Sequence, residues 1–379
     1  MYKVIWIDDE YHLNESFSEL AKEVYSIELI PFKLRKEGMS EFERRPNHYD
    51  GVILDARMLD ESSDEIPDTD GLYKALFKLR AVQEVNYFPI VIFSANRNDI
   101  LDEEQFKKVT KDIPVYKKSI DENRILSELR EMIKQNPIAK IKYENKEALE
   151  LCTSKYIGSE YYDNFLQLLK ILNGLEKSSS QKPLTPIRKI LEGVFQKLVS
   201  IGILPQEFKG KLNESCNVIT NKDQSYFHTK KIFDPLIQHI LKSILPIVQD
   251  EQHLRDDLRL HVDQYISKQA TNNVLYGLTY LLIDLMIWFK KLFDEHTDRE
   301  LNQTYLKPNI GIIEADSSGH TFCINESGKY LLQRSYGKVT YSLNDTLRIK
   351  EWKPNTDERT KRIYNRFVTK IEVINKSSY

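Results

Sequence analysis

Cysteine is scarce in this chain. Cys152, Cys216 and Cys323 stand far apart in 379 residues. Such spacing excludes a disulfide scaffold and any cysteine-rich zinc site, and it fits a reducing compartment. Glycine is scarce too, with 13 in the whole chain. That leaves little room for a glycine-rich phosphate cradle, and no P-loop, helix-turn-helix or zinc-finger pattern stands out. Long apolar runs are missing. The longest, Val274 to Phe289, is interrupted by Gly277, Thr279 and Asp284. It falls short of a spanning helix and reads as a buried core helix. The opening MYKVIWIDDE has neither the basic start nor the apolar length of a signal peptide. The expectation is a cytoplasmic chain with no membrane partner. No internal repeat is visible.

What is present is enough apolar residue, 41%, to bury real cores. At roughly 150 residues per domain the length suggests two or three domains. The net charge of -2 hides an asymmetry. Residues 1–121 carry 17 Lys+Arg against 25 Asp+Glu, and residues 307–379 carry 13 against 8. An acidic head and a basic tail point to different partners at the two ends.

Residues 1–135 alternate between strand and helix patterns. Lys3–Ile7, Gly51–Leu54, Pro89–Phe93 and Pro114–Tyr116 read as strands; Leu13–Tyr25, Gly71–Leu79, Glu104–Val109 and Glu122–Lys134 read as amphipathic helices. This alternation predicts a parallel sheet covered on both faces. Gln135-Asn136-Pro137 breaks the last helix. Residues 142–306 read as a helical domain, with strong helices expected over Asn164–Leu175, from Thr185, and over Ile232–Leu245 and Asn272–Phe293. Residues 307–379 read as five short strands, at Ile310–Glu314, Thr321–Asn325, Lys329–Gln333, Thr346–Glu351 and Arg362–Val373, which suggest a small closed β-barrel.

The strand ends of the first domain carry the chemistry. Asp8 and Asp9 end the first strand, Asp55 and Ser94 end two others, and Lys118 follows the last. In an open parallel sheet these ends share one edge, where ligands bind. Three crowded carboxylates repel one another unless a cation sits among them. Oxygen-only ligation by few protein groups suits Mg²⁺. A carboxylate beside such an ion can attack a phosphoryl donor and form an acyl phosphate, while Lys118 and Ser94 offer positive charge and a hydrogen bond to its oxygens.

Four motifs, Ile7-Asp-Asp-Glu10, Ile53-Leu-Asp55, Phe93-Ser-Ala95 and Lys118-Ser-Ile-Asp121, together resemble the receiver domain of two-component response regulators. The resemblance covers about residues 1–135. It implies a flavodoxin-like fold of five parallel strands, Asp55 as phosphoacceptor, and a sensor histidine kinase as donor. It also implies Asp9 as a direct Mg²⁺ ligand, Asp8 as a water-mediated or secondary one, and the main-chain carbonyl of Arg57 as a further ligand. Ser94 and Lys118 would bind the phosphoryl group. The chain departs from the family in three places. Ser119 stands where the family usually has proline. The aromatic usually found three residues before the lysine is Val115 here, with Tyr116 one position off. The loop from Asp55 to Gly71 is long and acidic, with Asp60, Glu61, Asp64, Glu65, Asp68 and Asp70. Lys117 adjoins Lys118; the spacing to the next helix favours Lys118.

The remaining two thirds speak less clearly. The helical middle loosely resembles HEPN domains, and Arg255 and His261 have the Arg–His spacing of nucleases in that family. A solvated helix face is the plainer account of that pair. Asp284 and the other histidines likewise read as surface, capping or hydrogen-bonding residues. The tail resembles an OB or cold-shock-like barrel, in which His320, Phe322, Tyr330, Arg334 and Lys350 would form a face for single-stranded nucleic acid. Phe322 and Tyr330 would instead lie in the core of a barrel that serves as an interaction module. The leading reading is a phosphorelay response regulator that passes its signal to a helical and β-barrel output region. The rivals are a phosphorylation-gated ribonuclease and a non-catalytic scaffold. A homodimer is left open.

Overall fold

The computed structural model describes residues 1–62, 69–83, 87–95, 104–178, 183–250, 272–333 and 339–375, together with 265, 268 and 336. Arg255, His261 and Arg334 lie outside the described residues, as do Asp64, Glu65 and Asp68. Contacts divide the chain into two compact units, Met1–Lys146 and Glu147–Tyr379. The helical region and the tail strands thus share the second unit.

In the first unit the strands are β1 (Tyr2–Ile7), β2 (Ile27–Phe32), β3 (Gly51–Leu54), β4 (Ile90–Ser94) and β5 (Val115–Lys117). Between and after them run α1 (Glu15–Glu23), α2 (Arg35–Arg44), α3 (Asp70–Gln83), α4 (Glu104–Val109), α5 (Glu122–Gln135) and α6 (Pro137–Glu144). Every strand pairing is parallel, in the order β2-β1-β3-β4-β5. This is the doubly wound, flavodoxin-like order expected from the sequence.

Strand alternation explains the two cores. In β1, Ile5 and Ile7 point to one face and Val4 and Trp6 to the other. The first face meets Met39 and Phe42 of α2 and Leu72 and Leu76 of α3. The second meets Phe17 of α1 and Ile125 and Leu129 of α5. A strand covered on both sides must be apolar at every position, which is why Val4–Ile7 and Gly51–Leu54 read as unbroken runs. β2 is the strand the sequence hides. It contains Pro31, and only Ile27 is fully buried. Proline and partial exposure belong to an edge strand, and β2 is one. The Asn136 side chain accepts the Ile138 amide at 2.9 Å and so caps α6. Lys142 Nζ then donates to Asp50 Oδ1 at 2.5 Å, holding α6 within the first unit.

In the second unit the main helices are Tyr162–Leu172, Thr185–Ser200, Leu212–Ile219, Pro235–Asp250 and Asn273–Glu295. The last contains the longest apolar run, with Leu282, Leu285, Met286 and Phe289 buried and Asp284 on its exposed side. Among the described residues no helix is long and apolar enough to cross a membrane. A two-stranded antiparallel sheet, β6 (Tyr226–His228) with β7 (Leu306–Pro308), leads into the tail.

The tail strands are β8 (Ile310–Ala315), β9 (Thr321–Asn325), β10 (Gly328–Leu331), β11 (Thr346–Pro354) and β12 (Arg366–Asn375). They close into a barrel in the order β10-β12-β11-β8-β9, with β10 and β12 parallel. The last strand starts at Arg366 rather than Arg362, because residues 358–363 are spent on turns. Ile313, Cys323, Tyr330, Leu347, Ile349 and Val368 fill the barrel. Gly311 allows β8 and β9 to close on each other: a Cβ there would lie 2.7 Å from Cys323 Sγ and collide with the Ile324 carbonyl.

Candidate functional site: the acidic strand ends of the first unit

The parallel sheet delivers its polar strand ends to one edge. Asp8 follows β1, Asp55 follows β3, Ser94 ends β4 and Lys118 follows β5. The backbone continues the pairing past the strands. The Asp55 amide donates to the Ile7 carbonyl at 2.9 Å, and the Lys118 amide donates to the Ser94 carbonyl at 3.0 Å. Register alone therefore sets these side chains beside one another. Asp8, Asp55, Ser94 and Lys118 are all buried.

Lys118 Nζ lies 2.5 Å from Asp55 Oδ2 and 2.9 Å from Asp8 Oδ2. Lys118 is thereby the pocket lysine. Lys117 instead turns its backbone amide to Asp121 Oδ2 at 2.8 Å. Asp9 completes the acidic group, since one carboxylate oxygen from each of Asp8, Asp9 and Asp55 falls within 4.8 Å of the others. Asp8 Oδ1 accepts the Glu10 amide at 3.0 Å. Asp55 Oδ1 has a longer contact of 3.4 Å with the amide of Arg57, whose side chain is exposed.

Burial raises the Asp55 carboxyl above its ordinary range, and the opposing pull of Lys118 does not fully offset it. Burial also raises Asp9, with Asp8 adding to the effect. For Lys118 burial acts downward, but Asp55 and Asp8 outweigh it and hold the ammonium up. The pocket thus prefers to gain positive charge.

Two observations test whether a divalent cation fits. Three carboxylates against one ammonium leave a formal charge of -2, which such an ion would neutralise. Asp8 Oδ2 is sealed from solvent and faces the Lys118 ammonium at 2.9 Å. A carboxylate oxygen has more than one lone pair, so the contact with Lys118 leaves it able to serve as a ligand. The donors are all oxygens, the set that Mg²⁺ prefers.

The departures from the receiver pattern have structural readings. Ser119 has φ +63°, a left-handed conformation that proline cannot take. Val115 packs on the α2–α3 side of the sheet, while Tyr116 turns to the α1–α5 side. The Tyr116 hydroxyl donates to Glu128 Oε2 at 2.6 Å, and Arg124 Nε donates to the other Glu128 oxygen at 2.7 Å. The aromatic that comes nearest to the switch position is therefore on the other face and tied to α5.

The start of the acidic loop is anchored. Arg35 donates to Asp60, Lys74 Nζ reaches the same carboxylate at 2.7 Å, and the Arg35 amide donates to the Leu59 carbonyl at 2.9 Å. Asp60 is thus a clamp between α2 and α3. Sequence spacing gave no hint of it, because its partners come from separate helices.

The stacking face expected on the barrel is not assembled. Tyr330 is 1% exposed and helps fill the barrel, while Phe322, next to the inward-facing Cys323, lies on the opposite face of β9, packed with Leu331 and Tyr364 and 4% exposed. A base cannot lie on rings that are already covered by protein. His320 is exposed and pairs with Asp316, and Lys350 Nζ lies 2.9 Å from Glu372 Oε2.

No family model and no curated protein matches the chain. Solved structures do. A response regulator receiver domain protein from Clostridium thermocellum is 15% identical with a TM-score of 0.28, over 36% of this chain and 96% of that one. The chemotaxis response regulator CheY4 of Vibrio cholerae is 15% identical with a TM-score of 0.27, over 35% and 98%. A CheY-like receiver domain protein from Methanospirillum hungatei is 14% identical with a TM-score of 0.27, over 36% and 95%. Likenesses this weak carry no functional argument. The strand order and the pocket geometry carry it.

Proposed function

We propose that the first unit is a phosphoryl-accepting switch of the response-regulator kind, and that the second unit carries its output. The supporting observation is the Asp8–Asp9–Asp55–Lys118 cluster at the carboxyl edge of the sheet. Asp55 is the nucleophile. One of its Oδ atoms attacks the phosphorus of a phosphohistidine on a sensor kinase. The phosphorus–nitrogen bond breaks, the imidazole leaves with the electron pair, and a mixed anhydride joins Asp55 to the phosphoryl group.

Asp8, Asp9, Asp55 and the Arg57 carbonyl would hold Mg²⁺. When bound, the ion supplies a Lewis-acid charge for the phosphoryl oxygens. Lys118 helps keep Asp55 ionised before transfer and pairs with a phosphoryl oxygen afterwards. Ser94 offers a hydroxyl from the end of β4. Burial excludes water from the anhydride and strengthens each of these charges.

The test is labelling of the full chain by acetyl phosphate or phosphoramidate with Mg²⁺. One phosphoryl group should add, with the lability of an acyl phosphate, and Asp55→Asn should abolish it. Undiminished labelling of the Asn variant would place the acceptor elsewhere and end this reading.

A further inference from the structure

The second unit contains a cavity of about 500 Å³ between the β6 segment and the barrel. Small-molecule sites have volumes of roughly 300–1,000 Å³. Among the described residues, Lys231 and Arg366 are the lysine and arginine of its lining, which contains no Asp or Glu. Its aromatic surface includes Phe227 and Trp352.

Arg366 opens β12 and is held in place. Its Nη1 donates to the Ser327 carbonyl at 2.9 Å and to the Tyr330 hydroxyl at 2.6 Å. Its guanidinium carbon lies 4.8 Å from the Trp352 ring centre and 5.1 Å from that of Tyr330. Among the described residues its hydrogen bonds go to a carbonyl and a hydroxyl, and none to a carboxylate. Arginine stays charged, and its planar fork suits a phosphate or carboxylate. A half-buried guanidinium with only neutral partners is short of an anion.

The two walls are fastened to each other. Gln224 Oε1 accepts the Trp352 amide at 2.5 Å. The Asn309 amide donates to Ser225, and its side chain bridges Gln224 and Asn325. The cavity is therefore preformed, which removes the cost of ordering it around a ligand.

We propose that this cavity binds a small planar anion, an aromatic ring bearing a phosphate, of which a nucleoside monophosphate is the representative class. The ring would lie among Phe227 and Trp352, with the phosphate between Arg366 and Lys231. The same chemistry is offered by a free nucleotide and by the phosphorylated end of a single strand. The site is independent of Asp55, so it stands or falls apart from the phosphorylation reading.

The experiment titrates the full chain, by calorimetry and tryptophan fluorescence, with AMP, GMP, CMP and UMP in turn. Inorganic phosphate and a short single-stranded oligonucleotide, with and without a 5′-phosphate, complete the set. At least one nucleotide should bind saturably and more tightly than inorganic phosphate. Lys231→Ala and Arg366→Lys should each weaken it by about tenfold, as expected for the loss of a charge-assisted hydrogen bond. Lys231 is exposed, so its substitution leaves the fold intact; circular dichroism checks Arg366→Lys. Binding that is tighter for the 5′-phosphorylated strand than for the nucleotide assigns the strand end as ligand, and the reverse order assigns the free nucleotide. Absence of saturable binding by all of these nucleotides, or equal affinity in both variants and the parent chain, overturns the proposal.

Discussion

Lys118 Nζ sits 2.5 Å from Asp55 Oδ2, and both side chains are more than nine-tenths shielded from solvent. The pair joins residues 63 apart in sequence through the adjacency of β3, β4 and β5. A buried carboxylate cannot stay ionised without such a partner. The ammonium holds Oδ2, while Oδ1 has only the 3.4 Å contact with the Arg57 amide. A second cation near Asp8 and Asp9 would add to the positive charge that Lys118 supplies.

The metal prediction follows. Mg²⁺ titrated into the full chain should change the fluorescence of Trp6, which lies in β1, the strand that leads into Asp8. Asp9→Ala should weaken binding by about tenfold or more, as expected for losing one charged ligand from a small set. Asp60→Ala should leave Mg²⁺ affinity nearly unchanged. It should instead destabilise the first unit by on the order of 3 kcal/mol, because Arg35 is buried and loses its carboxylate. Hydrogen exchange in β1 and β3 reads that loss. Equal effects of the two substitutions on Mg²⁺ affinity would place the ion in the loop rather than the pocket.

The sequence made the strand ends legible because parallel sheets concentrate information there. Buried strands must be apolar, so the first polar residue after the run, Asp8 or Asp55, marks its own place, whereas Lys118 stands behind Lys117 and needed the spacing to the next helix to single it out. Ser94 marks its strand in the same way, as the polar residue that closes an apolar run. β2 escaped because an edge strand carries no such contrast. The Asp60 clamp and the cavity beside Arg366 escaped for another reason. Each is made by residues from separate elements, and no local period records their meeting. Phe322 and Tyr330 were legible as aromatic residues on strands, with burial as the alternative to a stacking face, but not as residues of two different faces. Tyr330 lies in the barrel core, whereas Phe322 is covered on the other face by Leu331 and by Tyr364 from the segment before β12, a meeting that no local period records.

A pH dependence is expected in the second unit. Burial lowers the His228 pKa below its ordinary 6.5, against the opposing effect of its hydrogen bond to the Val218 carbonyl. That carbonyl, 3.2 Å from Nε2, can only accept, so Nε2 carries the proton in the neutral ring. The unfolded chain then binds more protons than the folded one between the lowered value and 6.5. Stability from this group is therefore complete above 6.5 and falls as the pH drops through that window. Denaturant unfolding of the second unit at pH values on both sides should show the slope. His228→Gln keeps an amide donor but cannot titrate, and it should flatten the slope. An unchanged slope would assign it to other groups.

Phe322 provides the sharpest contrast between packing and binding. Its ring lies 5.3 Å from that of Tyr364, and Lys329 Nζ stands 5.0 Å from its centre. Truncation leaves a cavity, so Phe322→Ala should destabilise the barrel by roughly 3–5 kcal/mol. Phe322→Leu keeps most of the volume and should cost less than about 1.5 kcal/mol. Thermal unfolding followed by circular dichroism, run beside single-strand binding at low salt, tests the assignment. A buried ring predicts that any loss of binding in the Ala variant tracks the loss of fold and recovers in the Leu variant. An exposed platform predicts the opposite pattern: unfolding would be unchanged, and binding would fall by about 1–3 kcal/mol in both variants, because neither alanine nor leucine offers a face on which a base can stack.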